Sequence, residues 1–453
     1  MKLLKSLGTI FTIALLIFSI SIPVLAAAPI PGTITMKDTA GNTKTSSTYE
    51  AYKIVEWNMS KVDNKVIYTD MKLNAVYKNA IVSTLGEPLT GISTDAEILK
   101  AISALSETSN VKIADLAIAL SQVPRTADYT ANNGLFINLP YGYYLIMETA
   151  NNANDGTVLS KPILVSVPDR TAGNPDVSVT VKTSTATVEK NIVVAAGDVK
   201  AAEKKIGDTV NFKLTATIPT YSANATNITY FVTDTLSKGL TFDSNSVLVK
   251  NANGNIVPAA NYTVDAAAPD TNGNTVVKIN FIYANIKDLG QLTITYNAKL
   301  NNKSSIGITG NPNSVTLTYS NKPGTGGTVY TTPPKHTIVY TTGIQLTKVD
   351  GSSADNAKLA GAVFGIYSDL ACKNPVGYYT YVMTTDATGT HVTTVLKEGS
   401  TVDNIVTGND GIAYFTGLLA GDYYIKEIKA PAGYDLLKEP IHVKITVQLP
   451  QSI

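Results

Sequence analysis

The sequence predicts a mainly β protein built as tandem β-sandwiches, the first carrying helical insertions. Three observations lead there. Thr, Val, Asn, Tyr and Ile are prominent, a composition of strands and turns. Short stretches of alternating apolar and polar residues recur along the 453 residues, broken by Gly, Asn and Pro. One stretch also repeats. Asn138-Leu139-Pro140-Tyr141-Gly142-Tyr143-Tyr144-Leu145-Ile146-Met147-Glu148 is echoed by Leu418-Leu419-Ala420-Gly421-Asp422-Tyr423-Tyr424-Ile425-Lys426-Glu427, as tandem modules would be.

The first residues address the chain for export. Met1, Lys2 and Lys5 precede an apolar run over residues 10–18, and Val24-Leu25-Ala26-Ala27-Ala28 supplies small residues for cleavage. This is the pattern of a secretory signal peptide over residues 1–27, and the run is short for a bilayer span. The single Cys, Cys372, allows no intrachain disulfide, so an exported chain needs another source of robustness. Three His and one Cys leave little for a metal site, and no cofactor motif appears. A net charge of +1 gives no electrostatic case for nucleic acid.

The next segment, residues 28–184, is mixed. Strand patterns lie at both ends. Thr94-Asp95-Ala96-Glu97 fits a capping box ahead of Ile98, Leu99 and Ile102 at helical spacing, and a second helix covers residues 113–120. Residues 185–323 read as a middle β-sandwich. A stretch rich in Gly, Pro and Thr, residues 324–341, reads as a linker. A last β-sandwich follows over residues 342–453.

Strand parity shows which polar residues share a face with the core. Lys190 has the parity of Val188, Ile192 and Val194, Asp234 that of Ile228, Tyr230 and Val232, and Asn313 that of Val315, Leu317 and Tyr319. An inward Lys, Asp and Asn in one sandwich are costly unless paired. One reading is a buried ion pair, or strand ends that reach solvent. The other is a self-made amide. Burial frees a neutral Lys amine as nucleophile, and the carboxyl polarises the Asn amide and shuttles the proton. In the last segment Lys348 shares a face with Ile344 and Leu346, and Glu427 with Tyr423 and Ile425, without an evident Asn. Lys182 is different. Val177, Val179 and Val181 form the apolar face, and Lys182 lies opposite, on the polar one.

These residues resemble the major, or backbone, pilins that sortases polymerise on Gram-positive bacteria. Lys204-Lys205-Ile206-Gly207-Asp208-Thr209-Val210, residues 232–242 and the strand 313–321 look like the isopeptide-forming middle domain of that family. The resemblance implies that Lys190 and Asn313 are the bonded pair and Asp234 the catalytic acid. Leu346-Thr347-Lys348-Val349-Asp350-Gly351 and Tyr424-Ile425-Lys426-Glu427-Ile428-Lys429-Ala430-Pro431-Ala432-Gly433-Tyr434 are similar to the immunoglobulin-like collagen-adhesin B-type domain. There Glu427 would be the acid and Lys348 the bond Lys. The family pattern places a Lys after the last strand of the N-terminal domain. Asp176-Val177-Ser178-Val179 followed by Lys182 fits it, although the usual Tyr-Pro-Lys-Asn is here Thr180-Val181-Lys182-Thr183. By that resemblance Lys182 attacks the acyl-enzyme formed by sortase, with Lys190 its nearest competitor.

Family members carry Leu-Pro-x-Thr-Gly, an apolar span and a basic tail, whereas this sequence has Leu449-Pro450-Gln451-Ser452-Ile453. Two expectations stand side by side: a last domain truncated at its end, before its closing strand and Asn, or a product that cannot be anchored as it stands. The implied function is a structural shaft subunit of a cell wall-attached pilus, not an enzyme. Its partners would be neighbouring copies of itself, a pilus sortase, minor pilins and host or surface receptors. The alternative is a monomeric cell-surface adhesin built from the same domains.

Overall fold

Alternation in a strand decides which side chains it buries. The computed structural model describes residues 31–62, 65–105, 110–168, 174–386, 389–398 and 404–450. In it the strand Thr209–Thr217 buries Val210, Phe212, Leu214 and Ala216 and turns Thr209, Asn211, Lys213 and Thr215 outward. The protein is mainly β, in several β-sandwich domains. The expected signal peptide lies outside the described residues. The described chain forms two compact units.

The first unit takes in residues up to Thr185 with Pro219–Thr229 and Tyr319–Tyr330. One sheet runs in the order Leu135–Leu139, Gly32–Lys37, Asp176–Thr180, the last pair parallel. The other runs Lys65–Leu73, Ser47–Val62, Gly142–Asn151, Ile163–Val167, with Tyr129–Ala131 also paired to Ser47–Val62. Among the described residues, three α-helices sit with these sheets. In Asp95–Ser103 the capping box is complete: Thr94 Oγ1 accepts from Glu97 N, and Glu97 Oε2 accepts from Thr94 N. The second expected helix extends over Asn110–Ser121. The third, Lys78–Leu85, has no side-chain cap and no acidic first turn, and its Ile81, Val82 and Thr84 are β-branched, so the sequence carried little helical signal there. Ile81, Ile98, Ile102, Leu116 and Leu120 from these helices join Tyr49, Ile54 and Tyr144 of the sheets in one core.

The second unit holds two sandwiches. One sheet of the first runs Gly197–Val199, Val188–Val194, Thr209–Thr217, Gln291–Leu300, Leu240–Asn251, all antiparallel. The other runs Ala201–Glu203, Lys335–Tyr340, Asn311–Lys322, Tyr230–Leu236, Thr275–Phe281, Tyr262–Ala266. The second sandwich has the sheets Thr342–Thr347, Ile412–Leu418, Tyr379–Asp386, Gly389–Glu398 and Ile405–Val406, Val363–Tyr367, Gly421–Lys429, Ile441–Ile445. Ala362, Phe364, Ile366, Tyr378, Phe415, Leu418 and Ile425 form its core.

The linker expected over residues 324–341 is corrected. It contains the strands Thr328–Thr331 and Lys335–Tyr340, both paired with Asn311–Lys322. The turn itself is local, and pairing with Asn311–Lys322 makes strands of the residues beyond it. Gly324 and Gly326 have φ of 110° and 69° and make the turn, and a Cβ on Gly327 would overlap the Lys322 carbonyl oxygen. The Gly cluster is therefore a tight hairpin. The Thr, Val and Tyr residues beyond it complete the sheet, with Val339 and Thr337 fully buried.

Candidate cross-link site

The middle sandwich concentrates its buried charge at one point between the two sheets. Val188–Val194 brings in Lys190, which is fully buried and opposite Leu214 on the next strand. The facing sheet supplies Asp234 and Asn313 from the strands Tyr230–Leu236 and Asn311–Lys322, which are neighbours in that sheet. Both are also buried. Lys190 Nζ lies 2.8 and 2.7 Å from the two Asp234 carboxylate oxygens.

A fourth residue, not singled out by the sequence, joins them. Tyr296 sits on Gln291–Leu300, opposite Phe212. Its hydroxyl accepts from Lys190 Nζ at 2.8 Å and from Asn313 Nδ2 at 2.7 Å, and donates to Asp234 Oδ2 at 2.7 Å. One donor and two acceptors are what a phenol offers, so the group is saturated. The available signal was parity: Leu292, Ile294, Tyr296 and Ala298 share the buried face, which puts the phenol among apolar neighbours. Phe212 stacks on the Tyr296 ring at 5.3 Å between centroids, and Phe242 meets it edge-on at 5.4 Å.

Electrostatics follow from this enclosure. Burial pushes the Lys190 ammonium down to about 8, against the opposing pull of the Asp234 carboxylate, with a smaller lowering by Lys200. Burial and the Asp234 charge raise the Tyr296 phenol well above its ordinary value. Asn313 Oδ1 has no hydrogen-bond partner. The carbonyl of the amide is therefore unengaged, while the amine, the carboxylate and the amide nitrogen are tied through one hydroxyl.

The last sandwich brings together Lys348 and Glu427, with Nζ 3.1 Å from Oε1. Glu427 Oε2 accepts from the Leu437 backbone N–H at 2.8 Å. Among the described residues no Asn side chain hydrogen-bonds to either. In the first unit Glu148, at the repeated position, accepts in the same manner from Ser160 N at 2.7 Å, and no Lys among the described residues forms a salt bridge with it. Lys182 follows the strand Asp176–Thr180 and is exposed.

Fold and site together define a class: tandem β-sandwich proteins, one sandwich of which buries Lys, a carboxylic acid and Asn between its two facing sheets. Comparison with known proteins matches two stretches of the chain. Residues 206–323 match the Gram-positive pilin backbone subunit 2, Cna-B-like domain, and residues 342–452 the SpaA prealbumin-like fold domain, so the chain carries a pilin-backbone domain followed by a prealbumin-like one. It is 30% identical over 281 residues to the trypsin-resistant surface T6 protein of Streptococcus pyogenes serotype M6, covering 58% of this chain and 46% of that relative. The chain thus aligns with just under half the length of that protein. The solved structure of the T6 backbone pilin of serotype M6 Streptococcus pyogenes superimposes with a TM-score of 0.56 at 22% identity, over 92% of this chain and 81% of that one. That likeness establishes the shared fold. The major pilin SpaD from Corynebacterium diphtheriae also aligns, with a TM-score of 0.49 and 21% identity over 91% of each chain.

Proposed function

We propose that this protein is a structural shaft subunit of a covalent, sortase-polymerised surface pilus, stabilised by an amide bond that Lys190 and Asn313 form with each other. The observation that carries the reading is the enclosed set of Lys190, Asp234 and Asn313. Its chemistry is nucleophilic substitution at an amide. Asp234 takes a proton from Lys190, the neutral amine attacks Asn313 Cγ, and ammonia leaves. Each molecule reacts once, so the chain is a substrate of its own fold and not an enzyme.

The family match over residues 206–323 and the kinship to a trypsin-resistant surface protein support a fibre role. Lys182 is the proposed attachment point for the next subunit, since an intermolecular nucleophile must be exposed. The partners are then further copies of the chain, a pilus sortase, and any minor pilins or receptors. The location is secreted and cell wall-attached. The domains proposed are the signal peptide over 1–27, an N-terminal pilin domain over 28–184, the cross-linked middle domain, and the collagen-adhesin B-type domain from 342. Lys348 and Glu427 give that last domain the Lys and the acid of a second such site.

Intact mass tests the central claim. The purified protein should be lighter than calculated by about 17 Da per bond, the mass of the ammonia displaced by the Lys amine. Asn313→Ala should remove the Lys190 bond and its deficit. A wild-type mass with no deficit would sink the cross-link.

A further inference from the structure

The geometry points to Tyr296 as a catalytic residue of this bond formation, a one-hydroxyl proton relay between Asp234 and the departing nitrogen of Asn313. The inference rests on the cross-link proposed above and assigns a step that the Lys, acid and Asn leave open. Once Lys190 has given its proton to Asp234 and attacked Asn313 Cγ, the side-chain nitrogen Nδ2 must gain a proton to leave as ammonia. Among the described residues, Nδ2 has the Tyr296 hydroxyl as its hydrogen-bond partner, at 2.7 Å. That same hydroxyl is 2.7 Å from Asp234 Oδ2.

The steps balance through these contacts. In the starting state Lys190 carries three protons, Asp234 none, and Tyr296 donates to Oδ2. Transfer from Nζ to the carboxylate gives a neutral amine and a neutral acid. Attack forms the Nζ–Cγ bond and moves the carbonyl electron pair onto Oδ1. Asp234 then gives its proton to the Tyr296 oxygen as the phenol gives its own to Nδ2, which has become a tetrahedral amine with a free pair. The Cγ–Nδ2 bond breaks, the electron pair on Oδ1 restores the carbonyl, and ammonia departs. The regenerated carboxylate takes the surplus proton from Nζ. No charged phenolate need persist, which suits a phenol whose ionisation is strongly disfavoured by burial.

The rings support the placement. Phe212 and Phe242 hold the Tyr296 ring from a face and an edge, so the hydroxyl is fixed by aromatic packing as well as by its own hydrogen bonds. A buried hydroxyl that served packing alone would not need to meet all three reacting groups.

The test follows the intact mass of freshly synthesised full-length chain over time. Wild type, Tyr296→Phe and a chain carrying 3-fluorotyrosine at position 296 are compared. The relay predicts that Tyr296→Phe loses ammonia about 10²- to 10⁴-fold more slowly, the usual span for a general acid–base group. It also predicts that the fluorinated phenol, which keeps the geometry but is more acidic, reacts at a rate measurably different from wild type. Wild-type kinetics in Tyr296→Phe would overturn the relay while leaving the cross-link standing. A slow Tyr296→Phe with an unchanged rate for the fluorinated chain would also overturn it, since a positioning role does not depend on phenol acidity. No ammonia loss in wild type would overturn the cross-link itself, and the relay with it.

Discussion

A fully buried ammonium is costly, and Lys190 is tolerated because all three of its N–H groups find acceptors: both Asp234 oxygens and the Tyr296 hydroxyl. The residual cost appears as its lowered affinity for a proton. In a chain that cannot cross-link, this has a defined pH signature. Lys190 binds its proton up to about 8 in the folded state against an ordinary 10.5. Between those values the unfolded chain holds the extra proton, so stability rises with pH. We expect Asn313→Ala to gain in denaturant midpoint between pH 8 and 10, relative to Asn313→Ala/Lys190→Met measured alongside. The double variant isolates Lys190 from the buried tyrosines, whose raised values act in the opposite direction. A difference that is flat or falling across this window would contradict the burial argument.

Elements in this protein are set by short-range chemistry wherever a cap or a turn is present. The helix Asp95–Ser103 begins at Thr94 because its hydroxyl and the Glu97 carboxylate satisfy the exposed N–H groups reciprocally. Thr94→Ala should cost about 1 kcal/mol, and hydrogen exchange should show faster opening confined to that helix. Unchanged protection there would mean that packing of Ile98 and Ile102 alone holds the helix. The hairpin at Gly324–Gly327 shows the opposite case. A Gly-rich stretch is compatible with a linker or with a tight turn, and the strands on either side decide between them.

Across the whole molecule, the proposed bond would tie the strand Val188–Val194 to the strand Asn311–Lys322 of the facing sheet. It would close a loop of more than a hundred residues, for which chain entropy gives roughly 4–5 kcal/mol of stabilisation. In a fibre the larger effect is mechanical: a pull on one strand reaches the other through covalent bonds. Polymerisation is separable from this. Lys182→Ala should abolish sortase-dependent ladders on denaturing gels while leaving the ammonia loss intact. Ladders that persist in this variant would move the attachment point to another Lys, and a wild type that forms no ladders would favour the monomeric adhesin reading.

What the sequence determined by itself was periodicity: the strands, the capped helix, and the parity that put Lys190, Asp234 and Asn313 on apolar faces. Those features depend on neighbours a few residues apart. Only the tertiary structure decided what met across the sandwich. Tyr296 shares its parity with apolar neighbours, and only the facing of the sheets brings its hydroxyl to Lys190, Asp234 and Asn313. The strands beyond Gly327 became legible only once Asn311–Lys322 was there to pair with them. Pairing there joins residues 20 to 28 positions apart, and the Lys190–Tyr296 contact spans 106, distances of which a local pattern carries no record.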